Sequence, residues 1–329
     1  MGIVTEVLDA LPIDESVLEI RRDEALLLTR PQLKNIKLLD HGPIAAVHFP
    51  TEYIPQKFSP PRGIYESDHL RLEWQQMNFR QPFYHRNADV DELSYQVCGD
   101  RTLMTEYGSV ELCPGDFSRI PVGVAHDNYG REEIHLLFYI PAPVSEVVPP
   151  VKTAEMLVPP FETWTPQSVA EVMTECLGGP ECDIAVSMAD EELLLRHAQS
   201  VDRNKYIRVL KATGRDGELE WLYKSKHVWI GTTEVQTCSG DVYRRHRRAD
   251  EIQCQIKGKR TLVTQRGIVE LEPGDFVSIP NGVAFTDIVH GSSTHISVLT
   301  HYSALPKAPI VKEAALADWK TVQGLKKLG

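Results

Sequence analysis

Residues 91–125 read DELSYQVCGDRTLMTEYGSVELCPGDFSRIPVGVA, and residues 250–284 read DEIQCQIKGKRTLVTQRGIVELEPGDFVSIPNGVA. At a constant shift of 159 the two align without a gap, and 21 of 35 positions are identical. Chance does not produce that agreement, so the chain contains one unit twice. Within each copy short alternating runs are punctuated by turn residues. Leu103 to Thr105, Gly108, Val110 to Leu112, the Pro114-Gly115-Asp116 turn and then Phe117 to Pro121 read as strands closed by tight connections. Short strands at regular spacing argue for a sandwich or barrel. Parallel crossover units would need long helical periods between strands, and none intervenes. The expected fold is all-β, with two tandem jelly-roll barrels and a few peripheral helices.

Outward from the repeat, residues 141–166 carry seven prolines, which cannot donate to a strand ladder and read as an extended connector. Thr165 to Leu177, Ala189 to His197 and Ala314 to Leu328 carry helical periodicity. The expected division is an N-terminal barrel at 1–145, a linker with helical segments at 146–200, and a C-terminal barrel with a final helix at 201–329.

A chain of 329 residues with 42% apolar and 25% charged side chains is long enough for two cores and too apolar to be disordered. Its net charge of −11 argues against nucleic acid or an anionic membrane as partner. The longest apolar runs, such as Ile134 to Ile140, fall far short of the roughly 20 residues of a membrane span. Met1 to Leu11 carries acids rather than a basic stretch ahead of an apolar one, so a cytoplasmic location is expected. Six scattered cysteines show no CxxC pair and no zinc spacing and read as reduced thiols; Cys176 and Cys182 are the close pair in which a disulfide remains open. The absence of a Gly-rich phosphate loop and of a G-x-S-x-G elbow argues against nucleotide-dependent and serine-hydrolase chemistry.

The segment Gly115 to His126 resembles the second motif of the cupin superfamily, G-x5-P-x-G-x2-H, position by position. The first motif, H-x-H-x4-E-x6-G, is matched by His85, Glu92 and Gly99, with Asn87 standing where the second histidine usually is. Both motifs together with the repeat make the chain similar to a bicupin. The stretch from Tyr84 to Glu92, continuing through Thr105 to Gly108, is also similar to sequence in the homogentisate 1,2-dioxygenase group. Those enzymes carry their metal in the C-terminal half, whereas here the ligand set lies in the N-terminal half. The likeness therefore implies ring-cleaving dioxygenase chemistry and leaves the substrate open.

Strand alternation places His85 and Asn87 on one face, and the cupin spacing brings Glu92 and His126 to them. Two imidazoles and a carboxylate are the ligand set of non-haem Fe(II) oxygenases; Zn²⁺, Mn²⁺ or Ni²⁺ would accept the same donors. Asn87 is either a fourth ligand or a support behind the others, and Asp91 competes with Glu92 for the carboxylate role. Tyr84, Gln96, Arg119 and His69 are the candidate substrate-handling residues. An inward Arg119 would pair with a substrate carboxylate or phenolate, and an outward one would face solvent.

In the second copy His85 becomes Arg244, Asn87 becomes His246 and His126 becomes Phe285, so no metal is expected there. Arg244 to Arg248 is a basic run expected to be a solvated edge or a salt-bridged interface. The expected function is an Fe(II) dioxygenase cleaving an aromatic diol or an enolic substrate with O2. The alternatives are a non-redox metal enzyme (isomerase, decarboxylase or C–C hydrolase) and a non-catalytic ligand-binding bicupin. A small-molecule substrate is the expected partner, and open edge strands lead us to expect a homo-oligomer.

Overall fold

The computed structural model describes residues 2–9, 17–31, 33, 42–56, 60–177, 182–197, 202–301, 303–316 and 318–327. Strands dominate it, with short helices at Glu24–Leu28, Glu191–His197 and Trp319–Lys326. The chain forms two compact units, one of residues 50–211 and 222–225, the other of residues 1–49, 212–221 and 226–329. Each unit contains one copy of the repeat, as the two-barrel expectation requires. The unit limits differ from a cut at 145 and 200 because the N-terminal strand Ile3–Asp9 pairs in parallel with Val242–His246 of the second copy. Hydrogen bonding across that ladder sends residues 1–49 to the C-terminal barrel, which sequence order does not reveal.

In the first-copy unit two long strands, Val90–Thr105 and His126–Pro141, pair antiparallel along nearly their whole length. Val90–Thr105 also pairs with Phe117–Ile120 and Gly108–Leu112, and His126–Pro141 pairs with Leu70–Met77. Irregular register between Arg131 and His135 bends the long pair, as β-bulges do, so that one strand serves two walls. Gly99 makes the bend possible. Its φ of +62° and a would-be Cβ 2.3 Å from the Glu132 carbonyl oxygen leave room for glycine alone, and Gly258 occupies the same position in the second copy with φ of +68°. A buried cluster of Leu103, Val110, Leu112, Ile120, Val124 and Val209 closes one end of this barrel.

Of the three segments with helical periodicity, two supply helices. The Glu191–His197 helix lies where periodicity put it, and Trp319–Lys326 forms the core of the C-terminal helix, while Leu328 lies outside the described residues. Residues 165–177, however, supply the strand Ser168–Glu175, which pairs antiparallel with Cys182–Asp190 and parallel with Phe83–Asn87. β-Branched Val169, Val172 and Thr174 suit a pleated surface, and an open strand edge beside residue 85 gave them a ladder to join. None of the six cysteines forms a disulfide; Cys182 is exposed, and buried Cys176 donates its Sγ–H to Asn87. Among the described residues no helix is long and apolar enough to cross a membrane.

The second-copy unit repeats the arrangement with Val228–Val235, Ser293–Thr300, Asp250–Lys257 and Asp275–Ile279 side by side. Its basic run is largely neutralised by the N-terminal strand. Arg245 bonds Glu6 at 2.6 Å, His246 donates to Asp9 at 3.0 Å, and Arg247 donates to the Asp9 carbonyl. A salt-bridged ladder, rather than a solvated edge, is thus what residues 245–247 build.

Candidate metal centre

Three strands of the first barrel bring the sequence candidates together. His85 lies on Phe83–Asn87, Glu92 opens Val90–Thr105, and His126 opens His126–Pro141, directly opposite His85 in the ladder. The two rings meet edge to face with centroids 5.3 Å apart. Each residue offers one donor atom, and the three atoms lie within 4.8 Å of one another. His126 Nε2 stands 3.3 Å from Glu92 Oε2. Two donors each about 2.1 Å from one ion, at a right angle, lie about 3 Å apart, so the spacing fits a shared divalent cation.

Hydrogen bonds behind the donors orient them. Nδ1–H of His126 donates to the Val124 carbonyl at 3.2 Å, which leaves Nε2 for the ion. Asn87 donates Nδ2–H to Glu92 at 2.9 Å, while its own carbonyl accepts the Cys176 thiol at 3.1 Å. With its oxygen turned to sulfur and its nitrogen to the carboxylate, Asn87 supports Glu92 and is not a fourth donor.

The charges are coupled. Burial would raise the Glu92 carboxyl, but the charge and hydrogen bond of His126, the charge of His85 and the Asn87 amide outweigh it and hold it at about 2. Burial and the charge of His126 push His85 down to about 4, and burial of His126 is overcome by Glu92, which raises it. The cluster therefore holds a carboxylate and a lone pair on His85, and a metal would displace the proton that Glu92 favours on His126.

The competing acid has another task. Asp91 accepts the backbone N–H of Val122 at 2.9 Å and of Val144 at 3.0 Å, fastening the turn that carries the second motif; Asp250 accepts Asn281 N–H at 2.8 Å in the same way. Glu92 is the acid in the cluster.

Most of the expected substrate-handling residues lie elsewhere. Arg119 pairs opposite Leu93, on the face away from Glu92, and bridges Asp91 at 3.0 Å and Glu146 at 3.2 Å. Tyr84 is on the other face of its strand from His85; it donates to Glu191 at 3.2 Å and packs with Ala125, Val169 and Leu194. His69 occupies the tight turn ahead of Leu70–Met77, apart from the three. Gln96 does share the face of Glu92, yet it donates to the carbonyls of Cys98 and Gly99 and to Glu133, and Gln255 repeats the two carbonyl bonds at Lys257 and Gly258. It stitches the bulge.

Sequence reasoning missed His135. Its ladder partner is Gln96, so it shares the inward face with Glu92; it is fully buried, donates Nδ1–H to Glu133 at 2.9 Å, and its Nε2 has no hydrogen-bond partner among the described residues. Alternation with Leu137 and Tyr139 was the available signal, hidden because the bulge interrupts the period.

In the second barrel the equivalent acid is paired within the protein. His246 donates Nε2–H to Glu251 at 2.6 Å and Phe285 replaces the second imidazole, so the proton of His246 neutralises the acid instead of an ion.

The sequence matches no family model and no curated protein. Solved structures are similar in fold. A cupin 2 conserved barrel domain protein from Leptotrichia buccalis aligns with TM-score 0.45 and 8% identity, over 75% of this chain and 92% of its own. Streptomyces albus HEPD, solved with 2-hydroxyethylphosphonate and Fe(II), aligns with TM-score 0.45 and 13% identity, over 76% and 73%. A Bacillus subtilis oxalate decarboxylase variant gives 0.40 and 12%, over 89% and 88%.

Proposed function

We propose that the chain is a mononuclear non-haem Fe(II) dioxygenase acting on an aromatic diol or a related enolic substrate, with His85, Glu92 and His126 as its metal ligands. The observation that carries this reading is the convergence of two imidazoles and one carboxylate, all with donor atoms within 4.8 Å, inside one barrel. Fe(II) held by His85, Glu92 and His126 would supply one-electron chemistry between a diolate and O2.

The chain's own residues set the conditions. Glu92 contributes the negative charge, Asn87 keeps that carboxylate turned inward, and the Val124 carbonyl fixes the His126 tautomer. His135 is the group we assign to take a substrate proton at Nε2. Burial and the charge of Arg101 keep its imidazole below the usual range, hence neutral and basic at neutral pH, and Glu133 steadies the cation once formed.

Protein loaded with Fe(II) under anaerobic conditions and then mixed with O2 and a panel of catechols, hydroquinones, gentisates and 1,3-diketones is the test. Uptake of O2 with at least one of them is expected, with loss of that uptake in Glu92→Gln. No uptake with any member sinks the proposal. The buried His135–Glu133 pair specifically favours a second reading, proton-transfer catalysis by the same triad with a redox-inert ion. Turnover under nitrogen with Zn²⁺ or Mn²⁺ distinguishes it.

A further inference from the structure

Inside the second-copy barrel lies a cavity of about 270 Å³, just below the roughly 300–1,000 Å³ of ordinary small-molecule pockets. Its wall includes Arg244, Glu251, Gln253, Phe285, His295 and Ser297. Barrel interiors normally close on apolar side chains, and this one, apolar over most of its wall, also carries polar groups that are incompletely satisfied. Gln253 is 1% and His295 4% exposed, yet Oε1 of the first and Nδ1 of the second have no hydrogen-bond partner among the described residues. Such buried orphans cost stability, so they are kept where something pairs with them.

The charge distribution is equally specific. Arg245 and His246 are paired with acids, whereas the Arg244 guanidinium, on the cavity side of the strand, makes no hydrogen bond or ion pair among the described residues. Glu251 is already engaged by His246 at 2.6 Å and by the Gln253 Nε2 amide at 2.9 Å. What remains open is one cation, the Gln253 Oε1 acceptor and Nδ1 of His295.

Comparison of the copies shows that this is not a remnant of the metal site. Arg244 replaces His85 and Gln253 replaces Ser94, while Ser297, opposite Gln253 in its ladder, stands where Leu137 lies opposite Ser94. Each change brings a longer or more polar side chain to the cavity, although the metal ligands themselves have gone. Mere loss of a site would fill it with apolar residues, as Phe285 does at one position.

We infer that the second barrel binds a small hydroxycarboxylate, its carboxylate on Arg244 and its hydroxyl donating to Gln253 Oε1. The imidazole of His295 offers one further hydrogen-bonding position. The site is separate from the metal centre and its occupancy does not depend on the reaction proposed there.

Calorimetric titration and thermal unfolding of the full chain with lactate, glycerate and malate, and with propionate and glycerol as single-function controls, test the inference. At least one hydroxycarboxylate is expected to bind saturably and raise the unfolding temperature, with the controls at least about tenfold weaker. Arg244→Gln should weaken that binding at least about tenfold while leaving metal content unchanged. Gln253→Leu should do the same, and it decides the question should Arg244→Gln fail to fold by circular dichroism. The inference is overturned if no hydroxycarboxylate binds at millimolar concentration, if propionate binds equally well, or if affinity survives both substitutions, which would place the ligand on the metal instead.

Discussion

Adjacent acids with opposite tasks give the sharpest residue-scale test. Glu92 belongs to the donor cluster and Asp91 to the turn that presents it, although the sequence offered both for one role. Glu92→Gln is expected to abolish metal retention with a modest effect on stability, because the amide keeps a hydrogen-bonding shape. Asp91→Ala leaves two backbone N–H groups without their acceptor and the Arg119 guanidinium with Glu146 alone, and should cost on the order of 3 kcal/mol in urea unfolding. Elemental analysis after dialysis, beside the denaturation curves, separates the two; equal metal loss in both variants would contradict the assignment. Asn87→Ala should weaken metal binding about 10–100-fold, as removal of a residue orienting a ligand does. Motif spacing was enough to find His85, Glu92 and His126, since spacing encodes which strand positions face inward. Tyr84, Arg119 and His69 were carried along by proximity in sequence, although strand alternation already turns Tyr84, next to His85, to the other face. His135 was invisible for the converse reason: a bulge beside it resets strand parity.

At the scale of elements, the strands that a sequence period reveals are those that pair with near neighbours, and the missed ones are those recruited from a distance. Ser168–Glu175 has an ambiguous pattern and becomes a strand because Phe83–Asn87 has an edge to offer. Ile3–Asp9 reaches Val242–His246 across most of the chain length, and its acids, Glu6 and Asp9, explain the basic run that stood alone in an acidic sequence. That ladder is pH-sensitive. Burial would lower His246, but hydrogen bonds to Asp9 and Glu251, and their charges, raise it to about 9 from an ordinary 6.5. A histidine with a raised folded value stabilises fully below the unfolded value and loses that stabilisation as pH climbs through the folded one. Glu251, depressed from 4.5 to about 2 against its burial by His246, is the mirror case: its contribution is present above pH 4.5 and is lost on acidification toward 2. The unfolding midpoint of the wild type should therefore fall between pH 6.5 and 9, and the fall should flatten in His246→Asn, the residue the first copy carries. A slope unchanged by that substitution would assign the pH dependence to other groups. Gly99→Ala and Gly258→Ala should each cost at least about 2 kcal/mol, since both force a Cβ into a carbonyl at positive φ.

Across the whole molecule, duplication separates what holds a barrel together from what a barrel does. Positions kept in both copies, such as Asp91 and Asp250, Gln96 and Gln255, or Gly99 and Gly258, are those whose hydrogen bonds and dihedrals recur in both units. Positions that differ line the interiors: His85 against Arg244, Asn87 against His246, His126 against Phe285. Glu92 and Glu251 are the instructive exception, one acid kept for two purposes, balanced by the donor cluster in one barrel and by a protonated imidazole in the other. Purified protein is accordingly expected to carry about one transition-metal ion per chain, all of it lost in His126→Ala. Restoring a single ligand should not create a second site. Phe285→His alone leaves Arg244 where the other imidazole belongs and leaves the His246 proton on Glu251, so metal content should stay near one. Arg244→His, His246→Asn and Phe285→His together rebuild the first-copy set around Glu251, and elemental analysis should then approach two ions per chain. A rise already in the single variant would mean that the imidazolium–carboxylate pair is no barrier to metal, and that the second barrel is closer to a working centre than its side chains indicate.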